Sequence, residues 1–199
     1  MNAVLLSVNP KWCGKIAAGE KTLEIRKSKP KLDVPFKVYI YCTKGQRLHF
    51  WKSKTYAYAD DRSHNAFDIC GDRKIIGEFV CDRIYQYTTA ANIDGVDITE
   101  DEVVSQSCLS HKELDAYEHS AEPKENCIYL IGLYCWHISH LKIYIRPRDL
   151  TELRRPCSND LYCESCGMYQ AHSETCGNAA LRVSRAPQSW CYVEWRPTG

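Results

Sequence analysis

Residues 19–26 of this chain have the sequence Gly-Glu-Lys-Thr-Leu-Glu-Ile-Arg, which follows the pattern G-x-K-x-x-E-x-R. From Thr22 onward polar and apolar residues alternate, and this period of two predicts a β-strand with one buried face. Upstream, Asn9 and Pro10 favour the start of a helix, and Gly19 suits the left-handed residue that ends one. The segment therefore predicts a helix that turns at Gly19 into a strand.

The polar face of this predicted strand carries opposite charges. Glu24 and Arg26 point the same way, so they can form an ion pair, and Lys21 lies where the strand begins. A lysine beside a carboxylate and a guanidinium can bind a phosphate or carbonyl oxygen, or it can be activated as a base or nucleophile. The alternative is a salt-bridged surface strand, because such pairs are common and contribute little stability.

The rest of the chain predicts about seven strands, two or three short helices and no regular β-α alternation. Besides the motif strand, strands are expected within residues 3–8, 36–43, 74–87, 126–137, 140–146 and 188–195, and helices within 10–19 and 111–118. Gly77, in mid-strand, suggests a bulge or a close backbone approach. This pattern favours an α+β fold built on a small mixed β-barrel. We predict the barrel over residues 1–155 and 188–199, an insertion at 44–73, and a cysteine-rich loop at 156–187.

The net charge of +1 hides a segregation of charge along the chain. Residues 1–54 carry 12 Lys/Arg and 3 Asp/Glu, residues 55–145 carry 7 and 16, and residues 146–199 carry 7 and 6. The local balances are +9, −9 and +1, and local charge attracts a polyanion. We predict a basic surface beside the motif. The acidic residues 94–125 offer an alternative role as a contact surface for a basic partner protein.

The chain also carries 12 cysteines. No apolar run approaches the roughly 18 residues of a membrane-spanning helix, and the first residues lack the basic start and apolar length of a signal peptide. We therefore expect a cytoplasmic protein, without membrane contact, whose thiols stay reduced. Cysteines within apolar, strand-like runs are expected to be small buried side chains; they are Cys42, Cys81, Cys127, Cys135 and Cys191.

Four other cysteines predict a structural zinc site. Cys157, Cys163, Cys166 and Cys176 fall within 20 residues that are poor in apolar side chains. Zinc would supply the folding energy that such a loop lacks, with the C-x-x-C pair as a knuckle. The fourth ligand is Cys157 or, as an alternative, His172. Unpaired surface thiols or a redox C-x-x-C pair are the other interpretations.

With these motifs the chain resembles the ASCH domain family of the PUA-like superfamily, of the type common in phage and gut bacterial genomes. The resemblance covers the opening strand, the helix at 10–19, the G-x-K-x-x-E-x-R motif, and the segments 39–41, 74–79, 136–138 and 187–193. It excludes residues 44–73 and 156–187. It implies a PUA-like barrel that binds RNA, a nucleotide or a modified nucleoside in a cleft beside the motif.

Two roles for the motif follow from that resemblance. In a binding module, Lys21 and Arg26 would contact phosphate or base oxygens and Glu24 would accept from an exocyclic amine. A ring would stack on the base, and the candidates are Trp12, Tyr41 and Trp136. Each of these rings has a place in the barrel core as its alternative.

The second role is catalysis. One branch of the family removes the acetyl group from N4-acetylcytidine with a catalytic Lys, a Thr three residues later and a distant Glu; other members are linked to RNA cleavage. Lys21 matches that Lys, but Glu24 replaces the Thr, and only Glu113 and Glu118 are candidates for the distant Glu. A hydrolase here would use Lys21 to attack or activate water, Glu24 to shuttle the proton and Arg26 to steady negative charge.

Overall fold

We describe the protein from a computed structural model. It describes residues 3–44, 71–88, 97–120, 132–157, 167–170 and 175–195. The strands within these ranges are β1 (Ala3–Val8), β2 (Leu23–Arg26), β3 (Phe36–Cys42), β4 (Ile75–Cys81), β5 (Ile84–Tyr87), β6 (Leu133–His137), β7 (Ser139–Arg148), β8 (Leu153–Arg154), β9 (Tyr169–Gln170), β10 (Thr175–Cys176) and β11 (Trp190–Trp195). The α-helices are α1 (Pro10–Ala17), α2 (Glu100–Ser107) and α3 (His111–His119).

The chain forms two compact units. The first unit comprises Met1–Cys13, Lys37–Glu78 and Lys142–Gly199, and the second comprises Gly14–Phe36 and Phe79–Leu141. Each unit is described by itself below.

A mixed six-stranded sheet organises the first unit, in the order β7-β4-β3-β1-β11-β8. β1 runs parallel to β3, with Val4 opposite Val38, and antiparallel to β11, with Ala3 opposite Val193. The core cluster of this unit consists of Ala3, Leu5, Tyr39, Tyr41, Ile75, Tyr144, Leu153, Val183 and Val193. Because both faces of β1 are buried, this strand is apolar along almost its whole length.

Gly77 allows β4 and β7 to pack closely in the first unit. A Cβ atom at position 77 would lie 2.5 Å from the carbonyl oxygen of Lys142 and 3.0 Å from Cδ1 of Ile143. Only a residue without a side chain fits at that distance, which confirms the predicted close approach.

A three-stranded antiparallel sheet, β2-β6-β5, organises the second unit together with α2 and α3. Its core cluster contains Leu23, Ile25, Tyr87, Ile98, Val103, Leu114, Leu133 and Cys135. Both helices begin at a capping box, in which Thr99 pairs with Glu102 and Ser110 pairs with Glu113. These caps fix where the two short helices start.

The α+β class and most predicted elements are confirmed, with two corrections. Residues 74–87 form two strands rather than one, because the polar pair Asp82-Arg83 separates β4 in one sheet from β5 in the other. α2 was not predicted, since its exposed face is almost entirely polar and only Val103 and Ser107 are buried. After β7, Leu150–Glu152 form a short 3-10 turn.

The predicted buried cysteines are also mostly confirmed. Cys42, Cys81 and Cys135 are fully buried, and burial raises the pKa of Cys81 and of Cys135 to about 12. Cys191 is half-buried and Cys127 lies outside the described residues. In the described part of the chain, no helix has the length and apolar character needed to cross a bilayer.

Candidate functional site

The motif begins where α1 ends. Gly19 has a φ of +73° and its N–H donates to the Ile16 carbonyl at 2.9 Å. The next two amides, of Glu20 and Lys21, both donate to the Lys15 carbonyl at 3.0 and 3.1 Å. This left-handed closure satisfies the last carbonyls of the helix and turns the chain toward β2.

β2 then separates the motif into two faces, as its alternation predicted. Leu23 and Ile25 enter the core of the second unit, while Glu24 and Arg26 point away from that cluster. β2 pairs antiparallel with β6, so that Glu24 lies opposite Trp136 and Arg26 opposite Tyr134. The apolar face anchors the strand, and this anchoring fixes where the charged face lies.

The three charged side chains of the motif meet in one network. Glu24 is its centre: one carboxylate oxygen lies 2.7 Å from Nη2 of Arg26, and the other lies 3.4 Å from Nζ of Lys21. The exposed fractions of the Lys21, Glu24 and Arg26 side chains are only 3%, 8% and 12%. The alternative interpretation, an exposed surface salt bridge, is therefore wrong, because all three side chains are largely buried.

The C-terminal end of α2 holds the lysine in place. Lys21 Nζ donates to the carbonyl of Ser107 at 3.0 Å, and the adjacent Thr22 N–H donates to the Gln106 carbonyl at 2.8 Å. The last carbonyls of a helix carry partial negative charge, which suits a cation. Nζ thus faces two acceptors, a carbonyl and a carboxylate, an arrangement suited to a donating ammonium group.

Basic and aromatic side chains lie next to this network. Tyr117 of α3 is within electrostatic reach of both Arg26 and Glu24; burial raises the pKa of Tyr117, and Arg26 partly opposes this. Lys27 Nζ lies 5.2 Å from the Tyr117 ring centre and donates to Ser120 Oγ at 2.8 Å. Lys29 lies over Tyr134, 5.5 Å from its ring centre.

Sequence reasoning missed Tyr117, Ser107 and the helix end that holds Lys21. Tyr117 follows Leu114 by three residues and therefore lies near it on α3, and this helical spacing is the signal that could have placed it. The role of Ser107 had no such signal, because it contributes a backbone carbonyl rather than a recognisable side chain.

The predicted stacking residues are placed differently from one another. Trp136 is fully buried and packs edge-to-face on Phe36, with ring centres 5.8 Å apart. Tyr41 belongs to the core cluster of the first unit. Trp12 is half-buried on α1, where Lys11 Nζ lies 4.2 Å from its ring centre. Of the three candidates, only Trp12 is not classed as buried.

The acidic segment has local structural roles. Glu102 and Glu113 accept hydrogen bonds at their capping boxes, with N–H to oxygen distances of 2.9 Å each. Glu100 lies 2.7 Å from Nδ1 of His111, and Asp115 lies 3.3 Å from Nδ1 of His119. Acidic side chains in the first turn of a helix interact favourably with the helix dipole. Much of the negative charge of residues 94–125 therefore has a structural role in α2 and α3. Glu113, one candidate for the distant Glu, accepts the capping hydrogen bonds of Ser110 in α3.

Two of the predicted zinc ligands, Cys163 and Cys166, lie outside the described residues, as does His172. Cys157 is exposed, and Cys176 lies on β10 opposite Tyr169 of β9. Among the side chains that are described, no group of three or more His, Cys, Asp and Glu could hold a metal ion. The zinc site stays a prediction.

Comparison with known proteins gives structural matches only. The crystal structure of the ASCH protein from Zymomonas mobilis matches with 15% identity and a TM-score of 0.48, covering 98% of this chain and 88% of that one. A serine-to-alanine mutant of the same protein gives 14% identity, a TM-score of 0.48 and coverage of 98% and 89%. A tyrosine-to-phenylalanine mutant of the same protein matches with 14% identity and a TM-score of 0.42, covering 74% of this chain and 76% of that one.

The chain is similar to ASCH domains. This is the domain type that the sequence resembles through its G-x-K-x-x-E-x-R motif. No protein-family model matches the sequence, and no curated protein does.

Proposed function

We propose that this ASCH-like chain binds RNA, or a nucleotide or modified nucleoside, beside the Lys21–Glu24–Arg26 network. The observation that supports it is burial of three charges in a small unit. Desolvating ions costs free energy, and apolar side chains of the same volume often give equal or greater stability. Buried clusters of ionisable groups therefore occur preferentially at functional sites.

The surroundings of the network fit a nucleic-acid ligand. Lys27 and Lys29 each lie over a tyrosine ring, which combines positive charge with aromatic surface. Binding of single-stranded nucleic acid uses this combination: cations contact phosphates and rings stack on bases. Trp12, which is half-buried in the first unit, stays a stacking candidate from the sequence alone.

Each motif residue then has a distinct task. Arg26 presents planar donors for a phosphate or base oxygen, and Glu24 accepts from an exocyclic amine. Lys21 is too enclosed to be the main contact, so it acts as a positioning residue that holds Glu24 against the end of α2.

Ligand binding by motif variants tests this function. Binding of labelled RNA and of free nucleosides is measured by fluorescence anisotropy and calorimetry for Arg26→Lys and Glu24→Gln. Loss of a charge-assisted hydrogen bond is expected to weaken binding by about 10-fold or more. Lys15→Met is the matched control, because Lys15 forms a comparable but exposed ion pair with Glu20 in the same unit. Unchanged affinity in folded Arg26→Lys and Glu24→Gln would refute the site.

A hydrolase acting on nucleosides or RNA is the second candidate. The observation that favours it is the 3.4 Å separation of Lys21 Nζ and the Glu24 carboxylate, which gives the lysine an ionisable partner. In this function Arg26 steadies developing negative charge. Turnover of acetylated cytidine and cleavage of labelled RNA are measured by chromatography. If the chain is an enzyme, Glu24→Gln should lower kcat by about 100-fold or more with little change in KM. Absence of turnover in protein that binds ligand leaves the binding function.

We also propose a structural zinc ion held by Cys163, Cys166, Cys176 and a fourth ligand, Cys157 or His172. β10 pairs antiparallel with β9, which places Cys176 opposite Tyr169. Tyr169 follows Cys166 by three residues in the sequence. The Cys157 thiol is exposed, whereas exposed free thiols are usually avoided. Native mass spectrometry of protein purified under reducing conditions should show one zinc per chain. The Cys163→Ser variant should lose the zinc ion, and the Cys191→Ser control should keep it. Wild-type protein that carries no zinc would refute the site.

A further inference from the structure

The sheet of the second unit has a face that is turned away from its apolar core cluster. β6 pairs with β2 on one side and with β5 on the other, which sets Arg26, Tyr134 and Gln86 in one row across the three strands. Paired residues of antiparallel strands point to the same face of a sheet. Leu133 and Cys135 belong to the core cluster, so Tyr134, between them, points to the other face. The motif strand therefore shares this face with a tyrosine and a glutamine of its own unit.

The row becomes more exposed from β2 to β5. The Arg26 side chain is largely buried, Tyr134 is half-buried and Gln86 is exposed. Gly132, two residues before Tyr134, has no side chain, and a Cβ atom there would lie 3.7 Å from Nε2 of Gln86. The Gln86 amide group therefore lies beside this glycine, next to the Tyr134 position. An aromatic ring and an amide group thus lie side by side on the open part of the sheet.

Tyr134 differs from two other tyrosines of the second unit that lie near a cation. Tyr85, near Arg83, and Tyr117, near Lys27, both pack against the apolar core cluster. Packing in the core gives these two rings a structural role. Tyr134 points away from that cluster, so its ring is the one that a ligand on the motif face would meet.

An exposed lysine lies over the Tyr134 ring. Lys29 Nζ is 5.5 Å from the ring centre, on the connection between β2 and β3. A cation–π contact at an exposed site is weaker than the stacking of a base on an aromatic ring. A base can therefore replace Lys29 on the ring. The displaced ammonium group is then beside the base, where it can meet the phosphate of the same nucleotide.

We propose that Tyr134 stacks on the base of the ligand, that Gln86 contacts the edge of this base, and that Lys29 binds its phosphate. Cβ atoms of paired residues lie about 5 Å apart, so a base on the Tyr134 ring is within reach of its neighbours in the row. An amide group both donates and accepts, which suits the mixed edge of a base. This inference rests on the function proposed above and narrows its ligand to a nucleotide, with base and phosphate, rather than a free nucleoside.

Replacement of the ring tests the stacking. Binding of the four ribonucleoside 5′-monophosphates and of the matching nucleosides is measured by calorimetry. Tyr134→Leu should weaken binding of the preferred nucleotide by about 10-fold or more, whereas Tyr134→Phe should keep it, because the ring remains. Tyr85→Leu is the matched control, since it removes a half-buried tyrosine near a cation on the other face of the same sheet. It should leave the affinity unchanged.

The difference between nucleotide and nucleoside tests the phosphate contact. Wild-type protein should bind the monophosphate about 10-fold more tightly than the nucleoside, because the contact is charge-assisted. Lys29→Gln should remove most of this preference, and Lys112→Gln, at an exposed lysine of α3 in the same unit, should keep it. Gln86→Ala should weaken binding of both ligands by about 5-fold. Circular dichroism checks folding, and if Tyr134→Leu does not fold, these exposed positions decide the result.

Each outcome separates the nucleotide site from the function proposed above. If Arg26→Lys weakens binding while Tyr134→Leu and Lys29→Gln leave it unchanged, the nucleotide site is overturned and the motif function stands. Equal losses for Tyr134→Phe and Tyr134→Leu overturn the stacking. Wild-type protein that binds none of these probes refutes both proposals.

The source of the nucleotide is identified with a single-stranded RNA of about 12 nucleotides, within the usual site size of single-strand binders. Tighter binding of this RNA than of every monophosphate identifies a nucleotide within RNA as the ligand. Tighter binding of a monophosphate identifies the free nucleotide. Both results support the site, provided that Tyr134→Leu or Lys29→Gln weakens the binding.

Discussion

The charge network of the second unit is buried, whereas that of the first unit is partly exposed. In the second unit Lys21, Glu24 and Arg26 are enclosed between β2 and the end of α2, and their partners are other protein groups. In the first unit Lys37 and Arg148 surround Glu78 at a half-exposed surface. Burial makes each interaction in the Lys21–Glu24–Arg26 network energetically large, whereas the ion pairs around Glu78 lie at a partly exposed surface and contribute less.

Glu24→Ala should have the largest effect on stability. The change leaves two nearly buried cations without their shared carboxylate, which typically costs about 3–5 kcal/mol. Urea unfolding followed by circular dichroism measures the loss. A triple replacement of Lys21 by Met, Glu24 by Leu and Arg26 by Met should recover most of that stability while abolishing ligand binding. Equal losses for the single and triple variants would show that the charges stabilise the fold.

Gly77→Ala is expected to rank second. The new Cβ would meet the Lys142 carbonyl oxygen at 2.5 Å, so β4 and β7 must move apart, at a cost of about 1–3 kcal/mol. Gly167→Ala is the control, since no atom of the described residues lies within 4 Å of its Cβ position. Thermal unfolding compares the two. Equal stability of both variants would mean that β4 and β7 do not pack as closely as described.

Tyr144→Phe should cost about 1 kcal/mol near neutral pH, because the Glu78 carboxylate loses a hydrogen bond at a half-exposed site. The pKa of Glu78 is lowered in the folded protein, so its contribution is present above the unfolded pKa and is lost as pH falls through the folded one. The difference between variant and wild type should therefore shrink below about pH 4. Urea unfolding across pH measures it, and a difference independent of pH would contradict this account.

Lys37→Gln should have the smallest effect. Its side chain is 46% exposed, and surface ion pairs contribute about 0.5 kcal/mol or less. Stability measured by urea unfolding should stay within that range. A loss comparable to that of Glu24→Ala would remove the contrast between the two networks.

Which residues form the motif network, and what holds them, could be predicted only in part. The alternation of residues 22–27 was enough to set Glu24 and Arg26 on one strand face and Leu23 with Ile25 on the other. The lysine's partner in α2 was not predictable, because the Ser107 carbonyl is 86 residues away in sequence. Trp136 is equally hard to assign from sequence, because a tryptophan can either stack on a base or pack in a core. Only its burial against Phe36 in the structure distinguishes the two roles.

The charge segregation of the sequence was likewise an incomplete guide. It predicted a basic surface from residues 1–54, yet β7, with Lys142, Arg146, Arg148 and no acid, spans the boundary between the −9 and +1 segments. A sum over a segment ignores which strand pairs with which. Lys37 and Arg148 act on one carboxylate only because β3, β4 and β7 are neighbours in the sheet.

The sequence by itself determined the local elements. Period-two alternation, the Pro10 helix start, the left-handed Gly19 and the helix over residues 111–118 are set by interactions between residues near one another in the chain. Tertiary structure alone decided which charges are buried and which are exposed. That choice depends on long-range pairing, which brings α2 to Lys21 and β7 to Glu78, and no local pattern encodes those contacts.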